Sequence, residues 1–372
     1  MGDVMLGRLI DQLFPTHVDE PSEARIVERV RLRTPSLNSY SPKSPWGNTL
    51  PLLYSSHLNI ANLETSVTTH PIKWPDKVFN YRMHPANISA LKAAKIDYVS
   101  LANNHSLDFG EEGLVETFNS LEGAGIAFAG AGRSKSEARR PAVLHLPRSS
   151  DASTLPPQHP SLQIFSASDH PFAWFDVPTF HHITYTPATL SHLKALSAAY
   201  PRPSSSTLRV FSVHWGPNYS WHPSRRIRSF ARSLIDELDV DIIHGHSSHH
   251  VQGIEWYKDK LIIYGCGDFV DDYAVDSGYR NDLSAIWRVS VDEVEGGAET
   301  GAAESQNDKQ TRLKLKRLEI FPTRIKSFQA NLLEPSDPDH GWVRERITQL
   351  TRELGMQDKL GIGTEGQLIY EF

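Results

Sequence analysis

Four imidazoles fall within the seven residues His244-Gly245-His246-Ser247-Ser248-His249-His250. They follow the apolar run Val240–Ile243, and the intervening Gly and Ser let the chain turn tightly. Histidine is the commonest metal ligand and the usual acid–base group near neutral pH, so this spacing reads as a metal-binding or acid–base loop. Other chemistry-bearing groups occupy the same kind of place. Gly2-Asp3, Asn62-Leu63-Glu64, Asn103-Asn104-His105 and His214 each close a hydrophobic run. Carboxylate, amide and imidazole donors without thiolates suit Mn, Fe, Zn or Co, and Cys266 is the only cysteine. Two divalent ions about 3.5–4 Å apart would share one carboxylate, activate a water and clamp a scissile bond. Each residue alone has a plainer reading. Asp3 can cap a turn, Glu64 can be solvated, Asn103-Asn104 can serve a left-handed turn and His214 can be a packed core histidine. The recurrence at strand ends carries the chemical reading. Of the other histidines, His17, His70, His145, His159, His192 and His340 read as surface residues.

Positioning such groups takes a set of strands whose ends converge. Periodicity predicts strands at His57–Glu64, Asp97–Ala102, Leu162–Ala167, Thr207–Val213, Val240–Ile243, Leu261–Tyr264, Ala285–Val291 and Arg312–Phe321. It predicts helices near Glu23–Leu32 and at Ala86–Lys95, Glu111–Gly123, Ala188–Ala199, Ser224–Leu238 and Trp342–Leu354. Three stretches read as loops by composition, 34–48, 147–160 and 294–308, the first of them inside an irregular region, 16–50, expected as an excursion from the core with one short helix. Strand–helix alternation implies an α/β fold. In such folds the carboxyl ends of the strands form the ligand-binding rim, and five segments would deliver their polar groups to it.

Composition narrows the class further. The 372 residues carry 38 Lys+Arg against 44 Asp+Glu, a net charge of −6, which argues against a nucleic-acid partner. No apolar run is long enough to span a bilayer, and the first ten residues do not form a signal peptide, so a cytoplasmic protein without a membrane anchor is expected. Self-association into a homo-oligomer is left open.

Six motifs make the chain look familiar: GDVMLGR from Gly2, ANLET at 61–65, LANNHSLDFGEEGL at 101–114, SVHWG at 212–216, GHSSHHVQ at 245–252 and YGCGDF at 264–269. In order and spacing across residues 1–290 it resembles the CapA family of poly-γ-glutamate (capsule) synthesis accessory proteins, built on a calcineurin-like metallophosphoesterase fold. The last 50 residues agree only loosely. The resemblance implies a four-layer α/β/β/α sandwich spanning 1–334, with 335–372 adding a helix and strand packed on the same domain. It also implies two divalent ions on the strand-end loops. Asp3 then matches the first metal-binding carboxylate and Glu64 the bridging one. Asn104 matches the amide ligand, and His105 the proton donor to the leaving group. His214 matches the next imidazole, and His246 and His249 the final loop. Three departures stand out. Met5 occupies the His position of the usual Asp-x-His motif. His244 is an extra imidazole, which leaves the last ligand open between His244 and His249. Asp268 replaces the usual Asn of a Gly-Asn-Phe motif and puts a carboxylate near the substrate. Arg82 and His84 in Tyr81–Pro85, with Arg280, are candidates to bind an anionic substrate. The expected activity is metal-dependent hydrolysis of a phosphoester-type or other anionic compound. The alternatives are a γ-glutamyl amide hydrolase or transferase, and a non-enzymatic accessory protein.

Overall fold

The computed structural model describes residues 1–147, 160–295, 311–356 and 360–372. Its strands, in chain order, are β1 (Asp3–Val4), β2 (Ile60–Leu63), β3 (Ser66–Val67), β4 (Arg82–Met83), β5 (Tyr98–Ser100), β6 (Ala127–Ala129), β7 (Ala142–His145), β8 (Ser161–Ser168) and β9 (Thr207–His214). They continue with β10 (Ile242–His246), β11 (Ile254–Tyr257), β12 (Lys260–Ile263), β13 (Asp268–Val270), β14 (Leu283–Glu295), β15 (Thr311–Lys326), β16 (Gln329–Leu332), β17 (Gly361–Ile362) and β18 (Leu368–Glu371). One sheet has the order β13-β1-β2-β5-β6 and is parallel throughout. A second has the order β11-β12-β10-β9-β8-β7, parallel in its centre with an antiparallel strand at each edge. A third, antiparallel sheet is built on the long β14–β15 pair and takes in β16, β17 and β18. The fold is mixed α/β.

Side-chain alternation sorts the strands into faces. In β9, Leu208 and Val210 enter one buried cluster while Phe211 and Val213 enter another; in β12, Leu261 and Ile263 oppose Ile262 in the same way. The cluster holding Leu208 and Val210 also contains Tyr98 of β5 and Ala129 of β6, so the two parallel sheets share it. The cluster holding Phe211 and Val213 is closed by the helix Arg225–Leu238, whose buried stripe is Ile227, Phe230, Ala231, Leu234, Ile235 and Leu238. Ser224 caps that helix through the Ile227 amide (3.3 Å), and Asp239 ends it in the left-handed region at φ 53°. On the far side of the first sheet, Val4, Leu63 and Val99 pack with Leu114, Phe118 and Leu121 of the helix Gly110–Ala124.

Several expectations are corrected. Residues 34–48 are not an excursion: two 3₁₀ turns, Pro35–Ser39 and Ser44–Thr49, bring Leu37 and Trp46 into the core, where the Trp46 indole donates to the Ala90 carbonyl (2.8 Å). His340 is buried rather than on the surface. β10 runs on through His244-Gly245-His246 instead of stopping at Ile243. The loops expected at 147–160 and 294–308 lie mostly outside the described residues, as does His159. Val343 and Ile347 of the helix Pro338–Glu353 bury into the cluster the two parallel sheets share. No helix among the described residues is long and apolar enough to cross a membrane.

Candidate metal centre

Register brings the polar strand ends together. Asp3 of β1 pairs with Asn62 of β2 on one side and Asp268 of β13 on the other. In the second sheet His214 of β9 lies between Ser168 of β8 and His246 of β10. By alternation His214, His244 and His246 share the face of Leu208, Val210 and Ile242, which looks onto the first sheet. After β10 the chain turns through Ser247 (φ 99°) and His249 (φ 61°), two non-glycine residues in the left-handed region. That costly backbone delivers the His249 ring to Asp268, with Nδ1 2.9 Å from Oδ1.

Two groups of potential ligand atoms result, each with all its atoms within 4.8 Å of one another: Asp3, His214 and His246; and Asp3, Glu64, His249 and Asp268. Asp3 belongs to both, whereas Glu64, expected as the bridge, belongs to one. One Asp3 oxygen accepts from Asn62 Nδ2 (2.8 Å) and the other from the Ser247 amide (3.4 Å). His214 and His246 approach Nδ1 to Nδ1 at 2.8 Å.

The electrostatics fit a site for a cation. Both oxygens of Glu64, Oδ2 of Asp268, Oδ2 of Asp271 and Oδ1 of Asn104 are buried without a hydrogen-bond partner. Burial, reinforced by mutual repulsion, pushes the Glu64, Asp268 and Asp271 carboxyls well above their ordinary range. Burial also raises Asp3. The His214 and His246 imidazoles are driven well down, by burial first and then by neighbouring imidazoles, so both are neutral and available to donate a lone pair. Unpaired buried carboxylates are expensive unless they coordinate an ion, and oxygen with imidazole is the donor set of a divalent transition metal.

His244 stands apart. Its Nδ1 is 3.0 Å from the Ser212 hydroxyl and its Nε2 2.7 Å from the Met1 carbonyl, so both nitrogens are occupied. Of His244 and His249, His249 is the one in a ligand group. Behind His244 a cavity of about 530 Å³ opens, lined by Leu208, Val210, Ile242 and Trp287 and also by Asn59, Arg288 and Glu319, and no residue of either ligand group lines it.

His105 sits in a different setting. Its Nδ1 is 2.7 Å from Asp108 Oδ2, Lys77 bonds the same carboxylate, and the Tyr81 ring stacks on the imidazole at 4.0 Å. Its Nε2 has no hydrogen-bond partner among the described residues. The three candidates for anion binding are engaged elsewhere. Arg82 donates to Glu20 (2.6 Å) and the His70 carbonyl (2.6 Å). His84 accepts from the Ala86 amide (3.1 Å), capping a 3₁₀ turn. Arg280 is bracketed by Asp282 and Asp339. Asp268, expected near the substrate, is instead in a ligand group.

Sequence reasoning missed Asp271, the hydrogen bond of Asn62 to Asp3 and the Asp108–Lys77–Tyr81 support of His105. The Asp271-Asp272 pair directly after a short apolar run was the available signal for the first.

Residues 1–273 match the family described as bacterial capsule synthesis protein PGA_cap. The chain belongs to the PGA_cap family. The matched span contains every residue of both ligand groups, and Asn104, His105 and Asp271, but not Arg280. Among curated PGA_cap relatives, a probable polyglutamine synthesis accessory protein of Mycobacterium tuberculosis is 33% identical over 96% of this chain and 91% of its own length. The capsule biosynthesis protein CapA of Bacillus anthracis is 25% identical over 73% of this chain and 59% of its own. The PGA biosynthesis protein CapA of Bacillus subtilis is 24% identical over 73% and 62%.

Proposed function

We propose that this PGA_cap protein is a metal-dependent hydrolase with a dinuclear centre set between the two parallel sheets of a four-layer α/β/β/α sandwich of the metallophosphoesterase type. The observation that carries this reading is the pair of ligand groups sharing Asp3, with Glu64 buried and unpartnered beside them. Asp3, His214 and His246 would hold one ion and Asp3, Glu64, His249 and Asp268 the other, with the Asn104 carbonyl as a further ligand. Bound there, divalent ions supply a water of lowered pKa and a Lewis acid for the scissile group. Asn62 aims the shared carboxylate. The Ser247 and His249 backbone carries the last imidazole into place. His105, its Nδ1 held by Asp108, would hand a proton to the leaving group from Nε2 in the charged form of the ring and become the neutral imidazole that burial favours.

The relatives are named for polyglutamine synthesis, capsule biosynthesis and PGA biosynthesis, which together with the resemblance to poly-γ-glutamate synthesis proteins favours a γ-glutamyl amide as the second substrate class beside phosphoesters. The test is a purified protein loaded in turn with Mn, Fe, Zn and Co, assayed on a phosphodiester, a phosphomonoester and γ-glutamyl peptides, with Glu64→Gln as control. Turnover of one class that needs metal and disappears in Glu64→Gln supports the hydrolase reading and selects the bond. Metal binding without turnover of any of them favours the accessory role for which the M. tuberculosis relative is named.

A further inference from the structure

A second oriented imidazole lies beside the first ligand group, outside the set that would hold metal. After β8 the chain turns and is tied to the end of β9, the Asp169 amide donating to the His214 carbonyl at 3.1 Å. The His170 ring is thereby set 4.8 Å from the His214 ring, centroid to centroid. The Asp169 carboxylate holds His170 in place. One oxygen takes His170 Nδ1, and the other accepts from the Tyr185 hydroxyl and from the Gly216 amide at 2.9 Å. Three groups from three segments therefore fix this carboxylate. His170 Nε2 has no hydrogen-bond partner among the described residues, and the side chain is 27% exposed.

The plain alternative is a surface ion pair, which would leave both partners free to move. Here the carboxylate is spent on orienting a ring whose other nitrogen is left open beside a metal-ligand histidine. The construction repeats that of His105 on Asp108. An imidazole with one nitrogen locked and the other open is suited to meet an oxygen arriving from solvent.

We infer that His170 is a substrate-contacting residue, in the complex donating Nδ1–H to Asp169 and Nε2–H to an anionic oxygen of the substrate, phosphate or carboxylate, at the Asp3–His214–His246 side of the centre. Asp169 is its positioning residue, and Tyr185 acts through Asp169. The assignment rests on the hydrolase reading above.

The test uses the full chain loaded with Mn²⁺ and titrates two probes by calorimetry, inorganic phosphate and L-glutamate. The unsubstituted protein is expected to bind one of them, phosphate marking a phosphoester-type site and glutamate a γ-glutamyl-type site. His170→Ala should weaken that probe about tenfold at unchanged metal content, as expected for losing a charge-assisted hydrogen bond. His170→Gln should recover part of the loss. Asp169→Asn and Tyr185→Phe should show smaller losses of the same sign, raising KM more than they lower kcat. Tyr185→Phe removes one oxygen atom and keeps the comparison open if His170→Ala does not fold. Probe affinity unchanged in the His170 and Tyr185 variants overturns this assignment and leaves the hydrolase reading standing. Loss of metal from His170→Ala overturns it too, because the ring would then serve the ion. A metal-loaded protein that binds neither probe overturns this assignment, while the hydrolase reading is decided by the turnover assay above.

Discussion

The side-chain amide of Asn62 donates to Asp3 at 2.8 Å, and its carbonyl oxygen accepts from Asn103 at 3.0 Å. Asn103 in turn accepts the His105 backbone amide at 3.0 Å. A relay of two buried amides therefore joins the carboxylate common to both ligand groups to the residue assigned as proton donor. Neither amide is in a ligand group; Asn62 orients the shared carboxylate, and Asn103 holds the backbone of His105.

Removing the first link should loosen the shared carboxylate without touching a ligand. Asn62→Ala is expected to lower metal affinity about 10- to 100-fold, measured by competition with a chelator of known strength. Affinity equal to that of the unsubstituted protein would mean Asp3 needs no such support.

Glu64 offers a test in which the sign reverses with metal. Burial and the neighbouring Asp3 and Asp268 charges penalise its ionised form, and neither oxygen has a partner. Metal-free Glu64→Gln should therefore melt above the metal-free parent at pH 8, by about 1–3 kcal/mol of relieved burial cost. With Mn²⁺ or Zn²⁺ present it should melt below the loaded parent, since ion-derived stability is lost. A shift of the same sign in both states would count against a ligand role.

His105→Asn should cut turnover about 10²- to 10⁴-fold while metal content stays at the parental level. Asp108→Asn should give a smaller loss, because the ring remains but is no longer held. Equal losses of metal and turnover in His105→Asn would remove it from the proton-donor role.

His244 separates a structural histidine from a liganding one by pH. Burial pushes its pKa down to about 3. With the folded value below the unfolded one, its contribution to stability is complete above the unfolded pKa of about 6.5 and is lost as pH falls toward the folded value. His244→Asn should therefore show a smaller loss of stability between pH 7 and pH 5, by about 2 kcal/mol, at unchanged metal content. Metal loss in this variant would return His244 to the ligand set.

Long elements were legible because burial stamps a period on them. β9 and the helix Arg225–Leu238 fall within a residue or two of where apolar spacing places them. β1 and β13, two and three residues long, are too short to show any period, and they are the strands that flank the carboxylate pair. Asn62 could be read only as a polar strand end, since its role depends on lying opposite Asp3 across β1 and β2. His170 is far from His214 in sequence and meets it through a turn. The stretch 34–48 misleads in the other direction. Its Pro and Ser suggest a loop, but one indole and one leucine are enough to anchor it.

The pairing of β1 with both β2 and β13 also sets a timetable for biosynthesis. The contact between Asp3 and Ser247 closes a loop of 244 residues. Until His246 emerges from the ribosome neither ligand group is complete, and until Asp268 and its strand follow, β1 keeps an open edge and the second group lacks a member. The nascent chain thus has to reach its second half before all members of either candidate ligand group exist.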